Sequence, residues 1–275
     1  MKLVSFSLAD GMVRPGALVD EKTVVDLAAI YPDALAVIRA GLSKSPEGPK
    51  HSIDSVRLHA PLPNPPRVFA IGLNYRDHAK ESGQPVPTTP VVFFKLTTAI
   101  VGPGEPIVLP NNSTQPDYEA EFAFVIGKGG YRIPAASWRE HVYGYTIVND
   151  VSARDVQFST SQWNLSKSFP TFSPMGPAIV SADEIADPHA LAIGLSIDGE
   201  TMQNSNTKEL VFGVPALIEY ISSITPLLPG DIVSTGTPPG VGLARKPPRW
   251  LKAGDTVTVT VEVLGSLTNP VVAEP

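Results

Sequence analysis

The segment from Asp117 to Gly127, DYEAEFAFVIG, carries acidic residues at alternate positions of an otherwise apolar stretch. This alternation predicts a β-strand with Asp117, Glu119 and Glu121 on one face. Buried carboxylates without compensation take up protons or destabilise the fold, and a divalent cation offsets their mutual repulsion. Oxygen ligands suit Mg²⁺, Mn²⁺ or Ca²⁺. The alternative is a solvated strand face, which is the usual environment of acidic side chains.

A further acid follows the next apolar strand. In the segment YTIVNDVSARDVQ, Asp150 lies where the strand opens into a loop, a common place for ligands. The alternative is that Asp150 or Ser152 caps a short helix after it, and the two functions are compatible. Arg154 and Asp155 are expected to pair structurally rather than to act chemically.

The segment NYRDHAKE contains a candidate general base. If it is helical, His78 and Glu81 are neighbours on one face, and a carboxylate beside an imidazole orients it and raises its basicity. The alternative is a solvated helix with incidental charges. Lys167, in SQWNLSKSFPTF, could stabilise a developing enolate or carboxylate, or could be an ordinary surface lysine.

A Gly/Pro-rich loop follows a short strand in DIVSTGTPPGVG. Its backbone N–H groups and the hydroxyls of Thr235 and Thr237 could hold a carboxylate. The loop lacks the Gly-Lys-Ser/Thr ending of a nucleotide P-loop, so nucleotide binding is not expected.

Composition excludes several classes of function. The 275 residues carry a net charge of -6 with no Lys/Arg-rich run, which argues against a nucleic-acid partner. The absence of cysteine excludes disulfides, thiolate metal sites and a cysteine nucleophile. No segment resembles a secretory signal peptide, and no apolar run is long enough to span a bilayer, so we expect a cytoplasmic protein without membrane contact.

The elements that must position these residues fall into two expected domains. Residues 1–60 predict a small α/β module with three short strands and a helix, DALAVIRAG, capped by Asp33. A proline-rich linker, APLPNPPR, leads into residues 61–275, where frequent glycine and proline favour short strands. Within this second domain, helices are expected near 74–83 and 214–223.

Seven segments in this order resemble the fumarylacetoacetate hydrolase family, from about Arg67 to Val271. They are IGLNYRDHAKE, VVFFK, DYEAEFAFVIGK, YTIVNDVSARDVQ, KSFPTFSPMGP, GETMQNSNT and STGTPPGVG. The resemblance implies an α+β, mainly β fold: a β-roll catalytic domain, with a small N-terminal domain, usually as a homodimer that binds Mg²⁺ or Mn²⁺.

The resemblance also implies roles for individual residues, and it makes Asp117 a structural acid rather than a ligand. The implied metal ligands are Glu119, Glu121 and Asp150; the catalytic residues are His78, Glu81 and Lys167; and Gln157 and Thr237, with Lys167, contact substrate.

The implied substrate is a 2-oxo acid that chelates the metal through its carboxylate and 2-oxo oxygens. We expect hydrolysis of a C–C bond in a 2,4-dioxo acid, releasing pyruvate and a carboxylic acid. The intact His78–Glu81 pair favours it, and so does a C-terminal segment that resembles members acting on sugar-derived or aromatic-degradation diketo acids. Alternatives on the same site are isomerisation of a 2-hydroxy-2,4-dienedioate, decarboxylation of an oxaloacetate-type substrate, and 2-oxo-acid binding without catalysis. A further alternative is a structural β-rich protein with solvated acids.

Overall fold

Short β-strands make up most of the regular structure in the computed structural model, which describes residues 1–275. The predicted α+β, mainly β class is therefore confirmed. The strands are β1 (Lys2–Ser7), β2 (Arg14–Leu18), β3 (Thr23–Asp26), β4 (Lys50–Ser52), β5 (Arg57–His59), β6 (Val68–Gly72), β7 (Val91–Lys95), β8 (Ile100–Val101), β9 (Ile107–Leu109), β10 (Pro116–Asp117), β11 (Ala120–Ile126), β12 (Val142–Asn149), β13 (Ser152–Ala153), β14 (Ser173–Ser181), β15 (Ala192–Ile197), β16 (Glu200–Asn206), β17 (Ile232–Ser234), β18 (Thr256–Val261) and β19 (Gly265–Ala273).

The helices are few and short, and none is long and apolar enough to cross a membrane. The expected cap of the first helix is present, since Asp33 Oδ1 accepts a hydrogen bond from the Ala36 amide at 2.7 Å. The α-helices are α1 (Ala34–Arg39), α2 (Arg76–Glu81), α3 (Arg154–Gln157) and α4 (Val214–Ile224). The 3₁₀ helices are Ile53–Ser55, Thr97–Ala99, Ala135–Glu140, Ala182–Glu184, Thr207–Glu209 and Gly242–Ala244.

Two sheets organise the chain. In the larger sheet the strands run in the order β4-β3-β2-β1-β14-β12-β11-β17-β6-β7, with β5 added beside β1 and β8 beside β14. The smaller sheet has the order β16-β15-β18-β19-β9. A separate two-stranded ladder joins β10 to β13.

Strand β11 lies inside the larger sheet, and all seven of its residues are buried. Phe122 and Phe124 belong to a large core cluster that also contains Val257 and Val259 of the smaller sheet. Ala123 and Val125, on the opposite face, belong to a second cluster that includes N-terminal residues. The solvated-face alternative for this strand is therefore wrong.

The larger sheet continues across the expected boundary between residues 60 and 61. Strand β1 pairs antiparallel with β14, with Leu3 opposite Ile179. The N-terminal residues therefore complete the sheet that carries β11 and β12. The division into 1–60 and 61–275 stays a prediction.

Candidate metal centre and substrate cavity

The β11–β12 hairpin places Glu119 and Asp150 side by side. Ala120, the first residue of β11, is opposite Asn149, the last residue of β12. Glu119 comes just before β11 and Asp150 just after β12, and the Asp150 amide donates to the Glu119 carbonyl at 2.9 Å. The Asn149 side chain also accepts from the Glu119 amide at 3.1 Å. The antiparallel register therefore fixes the spacing of the two carboxylates.

Glu121 completes the acidic cluster, which we define as Glu119, Glu121 and Asp150. One possible ligand atom from each lies within 4.8 Å of the others, and all three side chains are buried. Ser234 Oγ and the Gly236 amide donate to Glu121 Oε2 at 2.5 and 3.0 Å. The acidic cluster could therefore hold a metal ion with oxygen ligands alone.

Buried cations neutralise two members of the acidic cluster. Lys167 Nζ lies 2.8 Å from Glu119 Oε2 and 2.7 Å from Asp150 Oδ2. Lys95 Nζ also donates to Asp150, and Arg154 Nη2 lies 2.6 Å from Glu119 Oε1. Burial acts to raise the pKa of Glu119, but the charges of Lys167 and Arg154 outweigh it and hold this pKa at about 2.

Glu121 has no cationic partner. Burial raises its pKa well above the ordinary value, and the charges of Asp150 and Glu119 raise it further. Its two hydrogen-bond donors are neutral and both bind Oε2. Counting Asp117, four buried carboxylates face Lys95, Lys167 and Arg154, so the site is one positive charge short. The residues therefore fit a divalent cation with a preference for carboxylate oxygens, such as Mg²⁺ or Mn²⁺.

Asp117 is separate from the acidic cluster. It lies in β10, which pairs with β13, so the prediction of one continuous strand from residue 117 is wrong at its start. Its carboxylate accepts from Arg154 Nε at 2.8 Å and from the Gly242 amide at 2.7 Å. Asp117 therefore orients a buried arginine and fixes the loop at residue 242.

The expected local pairing after β12 is not observed. Arg154 binds Asp117 and Glu119, whereas Asp155 accepts from Ser113 and Thr114. The helix that begins at Arg154 has no side-chain cap, which removes the capping alternative for Asp150 and Ser152. The predicted pairing and the predicted cap both relied on residues that are neighbours in sequence. The observed partners of Arg154 and Asp155 come instead from residues 113–119.

The His78–Glu81 pair forms on α2 as the helical spacing predicts. His78 Nδ1 lies 3.0 Å from Glu81 Oε2, and Glu81 Oε1 accepts from the Gly240 amide at 2.9 Å. Gly240 has a φ of +101°, and a Cβ there would lie 2.1 Å from the Met202 carbonyl oxygen. Glycine is therefore required where this loop meets Glu81.

One cavity of about 790 Å³ contains every residue to which the family resemblance assigns a catalytic, substrate-binding or metal-binding role. The structure thus brings the acidic cluster, the His78–Glu81 pair and the expected substrate contacts together. These eight residues, which form part of its lining, are His78, Glu81, Glu119, Glu121, Asp150, Gln157, Lys167 and Thr237. Their individual roles stay predictions.

Other polar residues at the site were missed by sequence reasoning. Lys95 ends the apolar strand VVFFK, and its position in a segment of the family resemblance was the available signal. Gln203 Nε2 donates to Thr237 Oγ1 at 2.8 Å, and nothing local in the sequence indicates this contact. Thr235 donates to the Phe122 carbonyl at 2.7 Å, so its hydroxyl is not available for the suggested carboxylate contact.

Comparison with known proteins agrees with the geometry. The chain matches the family model "Fumarylacetoacetate (FAA) hydrolase C-terminal" over residues 67–272. It is 44% identical to the oxaloacetate tautomerase fahd2, mitochondrial, of Xenopus laevis, over 99% of this chain and 90% of that protein.

Solved structures cover the whole chain. The 2-hydroxyhepta-2,4-diene-1,7-dioate isomerase of Mycobacterium marinum is 36% identical with a TM-score of 0.84, over 100% of this chain and 99% of that one. The maleylpyruvate hydrolase of Sphingobium sp. SYK-6, in complex with manganese(II) and pyruvate, is 26% identical with a TM-score of 0.82 over 100% of both chains.

The expectation of a cytoplasmic protein is contradicted by these relatives. The Xenopus laevis protein is named as mitochondrial, as are similar proteins of Bos taurus and Homo sapiens. The expectation rested on the lack of a secretory signal and of a membrane span, which does not distinguish the cytoplasm from the interior of an organelle.

The family model covers most of the chain, and the relatives extend over nearly all of it. The chain belongs to the fumarylacetoacetate hydrolase family.

Proposed function

We propose that this protein interconverts the keto and enol tautomers of a 2-oxo acid, with oxaloacetate as the leading candidate, using Mg²⁺ or Mn²⁺ at the acidic cluster. Isomerisation is one of the alternatives to hydrolysis that the same site allows. It moves to first place because the relatives include oxaloacetate tautomerases at 44–47% identity and a 2-hydroxyhepta-2,4-diene-1,7-dioate isomerase at 36%.

The observation that carries this proposal is the presence of the His78–Glu81 pair and the acidic cluster in one cavity. Glu119, Glu121 and Asp150 would hold a divalent cation, which would act as a Lewis acid on a bound 2-oxo acid and increase the acidity of its C3 hydrogens. Tautomerisation then needs one group that moves a proton between C3 and oxygen. His78, oriented by Glu81, is the group we assign to that transfer.

The remaining cavity residues can bind and orient the substrate. Lys167 Nζ is held by Glu119, Asp150 and Ser152, which places a fixed positive charge beside the acidic cluster. That charge would stabilise negative charge that develops on the 2-oxo oxygen. Because Gln203 donates to Thr237 Oγ1, the Thr237 hydroxyl keeps its own proton free for a substrate carboxylate.

Hydrolysis of a C–C bond is the second candidate. The same imidazole could deprotonate a water instead of a carbon, and maleylpyruvate hydrolase shares the fold at a TM-score of 0.82. Hydrolysis also requires that a water be placed against the distal carbonyl. Hydrolysis therefore requires the site to position a water molecule as well as the substrate, whereas tautomerisation requires only the substrate.

The test is to add the protein to oxaloacetate enriched in the enol form and to follow the ultraviolet absorbance of the enol. The assay is run with Mg²⁺ or Mn²⁺ and again in excess chelator, and pyruvate is measured in parallel, also with a panel of acylpyruvates. Metal-dependent enol loss without pyruvate supports the tautomerase. Pyruvate from oxaloacetate indicates decarboxylation, and pyruvate from acylpyruvates indicates hydrolysis. Binding of 2-oxo acids with no turnover would indicate a binding protein.

A further inference from the structure

Two cations of the cavity lack an anionic partner. Arg245 and Lys246 line it just after the 3₁₀ helix at residues 242–244, and neither has a carboxylate within the 4.0 Å of an ion pair. By contrast, Arg154 and Lys167, which line the same cavity, are both bound to Glu119. The cavity thus has positive charge near residue 245 that no carboxylate of the chain neutralises.

The Arg245 side chain is held in place but is only partly hydrogen-bonded. Its Nη2 donates to the Met202 carbonyl at 2.9 Å and contacts the Thr201 carbonyl at 3.4 Å. Its Nε is buried and has no acceptor. Because a buried donor without an acceptor is unfavourable, an oxygen from a bound ligand would stabilise this arginine.

We propose that Arg245 and Lys246 bind the distal carboxylate of a dicarboxylic 2-oxo acid. This inference rests on the proposed function, in which the first carboxylate and the 2-oxo oxygen face the acidic cluster. A guanidinium binds carboxylates through directed, charge-assisted hydrogen bonds, and the exposed Lys246 adds a second positive charge next to it in the chain. The site is then specific for substrates with a charge at each end, such as oxaloacetate.

Monocarboxylic 2-oxo acids would leave both cations unpaired. They could still occupy the acidic cluster, but they would gain nothing from Arg245 and Lys246. The inference therefore concerns the choice of substrate and not the proton transfer itself.

The kinetic test compares oxaloacetate with its 4-ethyl ester, which has the same enol chemistry and no distal charge. In the Arg245→Gln/Lys246→Gln variant, we expect the ratio of KM for oxaloacetate to KM for the ester to rise about tenfold, the scale of a charge-assisted hydrogen bond. Lys246→Gln alone, which leaves the contacts of Arg245 intact, should give a smaller rise. Arg245→Lys, which keeps a positive charge at this position, should retain part of the preference for oxaloacetate over the ester that Arg245→Gln loses.

The control is Lys252→Gln, which removes the same charge from an exposed position outside the cavity. It should leave the KM ratio unchanged. A ratio that moves as much in this control as in the cavity variants would mean general electrostatic attraction rather than a distal-carboxylate site, and would overturn the inference.

A binding measurement separates this inference from the proposed function. Calorimetry compares oxaloacetate with 2-oxobutanoate, which carries a methyl group in place of the distal carboxylate. It is done with Mg²⁺ in a His78→Gln background, so that heat from turnover does not obscure binding. A preference for oxaloacetate that disappears when Arg245 and Lys246 are both replaced supports the inference, even if the wild-type protein proves not to be a tautomerase. No preference, or one that survives the replacements, overturns it, even if tautomerisation is confirmed.

Discussion

The carboxylates of the acidic cluster differ in what neutralises them. Glu119 is bound by two buried cations, Lys167 and Arg154, so its charge also stabilises the folded chain. Glu121 is bound only by a hydroxyl and a backbone amide. Equivalent substitutions at these two positions should therefore have different effects on stability.

We expect Glu121→Gln to abolish metal binding while the free energy of unfolding in chelator stays unchanged or increases. Glutamine can still accept from Ser234 and Gly236, and it removes a buried charge that has no cationic partner. Glu119→Gln should abolish metal binding and also destabilise the fold by about 3 kcal/mol, because Lys167 and Arg154 each lose one of their two buried carboxylate partners. Calorimetric titration with Mn²⁺ and chemical denaturation in chelator measure both effects. Equal stabilities for the two variants would contradict this account of the charges.

The His78 imidazole gives a second prediction at the residue scale. His78→Gln should retain metal and substrate binding but lower kcat by about 10²- to 10⁴-fold, the usual loss on removal of a general base. The matched control is His51→Gln in β4, which lies outside the cavity and should keep wild-type kcat. Near-wild-type turnover in the His78 variant would exclude it from proton transfer.

At the scale of elements, α2 depends on its neighbours for its position. A six-residue helix is not stable alone. Asp77 accepts from Ser205 Oγ at 2.6 Å, Arg76 donates to the Leu210 carbonyl at 2.7 Å, and Glu81 is held by Gly240. The helix that carries the proposed base is thus held by a few polar contacts, and we expect it to act as a lid over the cavity.

We expect Ser205→Ala to loosen this lid. The lost hydrogen bond contributes on the order of 1 kcal/mol, so KM should rise about fivefold while metal affinity is unchanged. Amide hydrogen exchange within residues 76–81 should become faster, which a purely chemical role for this segment would not cause. Ser223→Ala is the control, since Ser223 bonds only within its own helix. Unchanged exchange in the Ser205 variant would show that this contact does not hold the lid.

The sequence predicted elements well where local patterns determine them. The alternation in β11, the Asp33 cap of α1 and the His78–Glu81 spacing on α2 all appear in the structure. Sequence-based prediction was wrong where the position or partner of a residue depends on a segment that is distant in the chain. Asp117 leaves the line of β11 because β10 pairs with β13, and Arg154 takes its partners from residues 117 and 119.

At the scale of the molecule, the N-terminal residues cover one face of the larger sheet. The second core cluster combines Leu3, Val37 and Ile38 with Ala123 and Val125 of β11. The terminal ammonium also contacts Ser181 Oγ at 2.6 Å, at the end of β14. The face of β11 that carries Glu121 therefore continues, at Ala123 and Val125, into contact with the N-terminal segment.

We expect a fragment of residues 61–275 to be less stable than the full chain and to aggregate, because β14 loses its partner strand and the apolar face of β11 is exposed. Thermal unfolding and sedimentation of the fragment, beside the intact protein, measure this; sedimentation of the intact protein also tests the predicted homodimer. An equal melting temperature with full Mn²⁺ affinity would instead show that the first 60 residues form an independent domain.

Strand register limits how the paired acids of the hairpin can change as this protein diverges. Glu119 and Asp150 adjoin because of strand register, and a one-residue insertion in either strand would turn the opposite set of side chains inward. Arg245, Lys246 and the lid lie in segments outside that sheet. New substrate preferences can therefore arise by exchange of loops while the hairpin is inherited unchanged. A protein engineer could follow the same route, grafting loops from a relative onto this sheet.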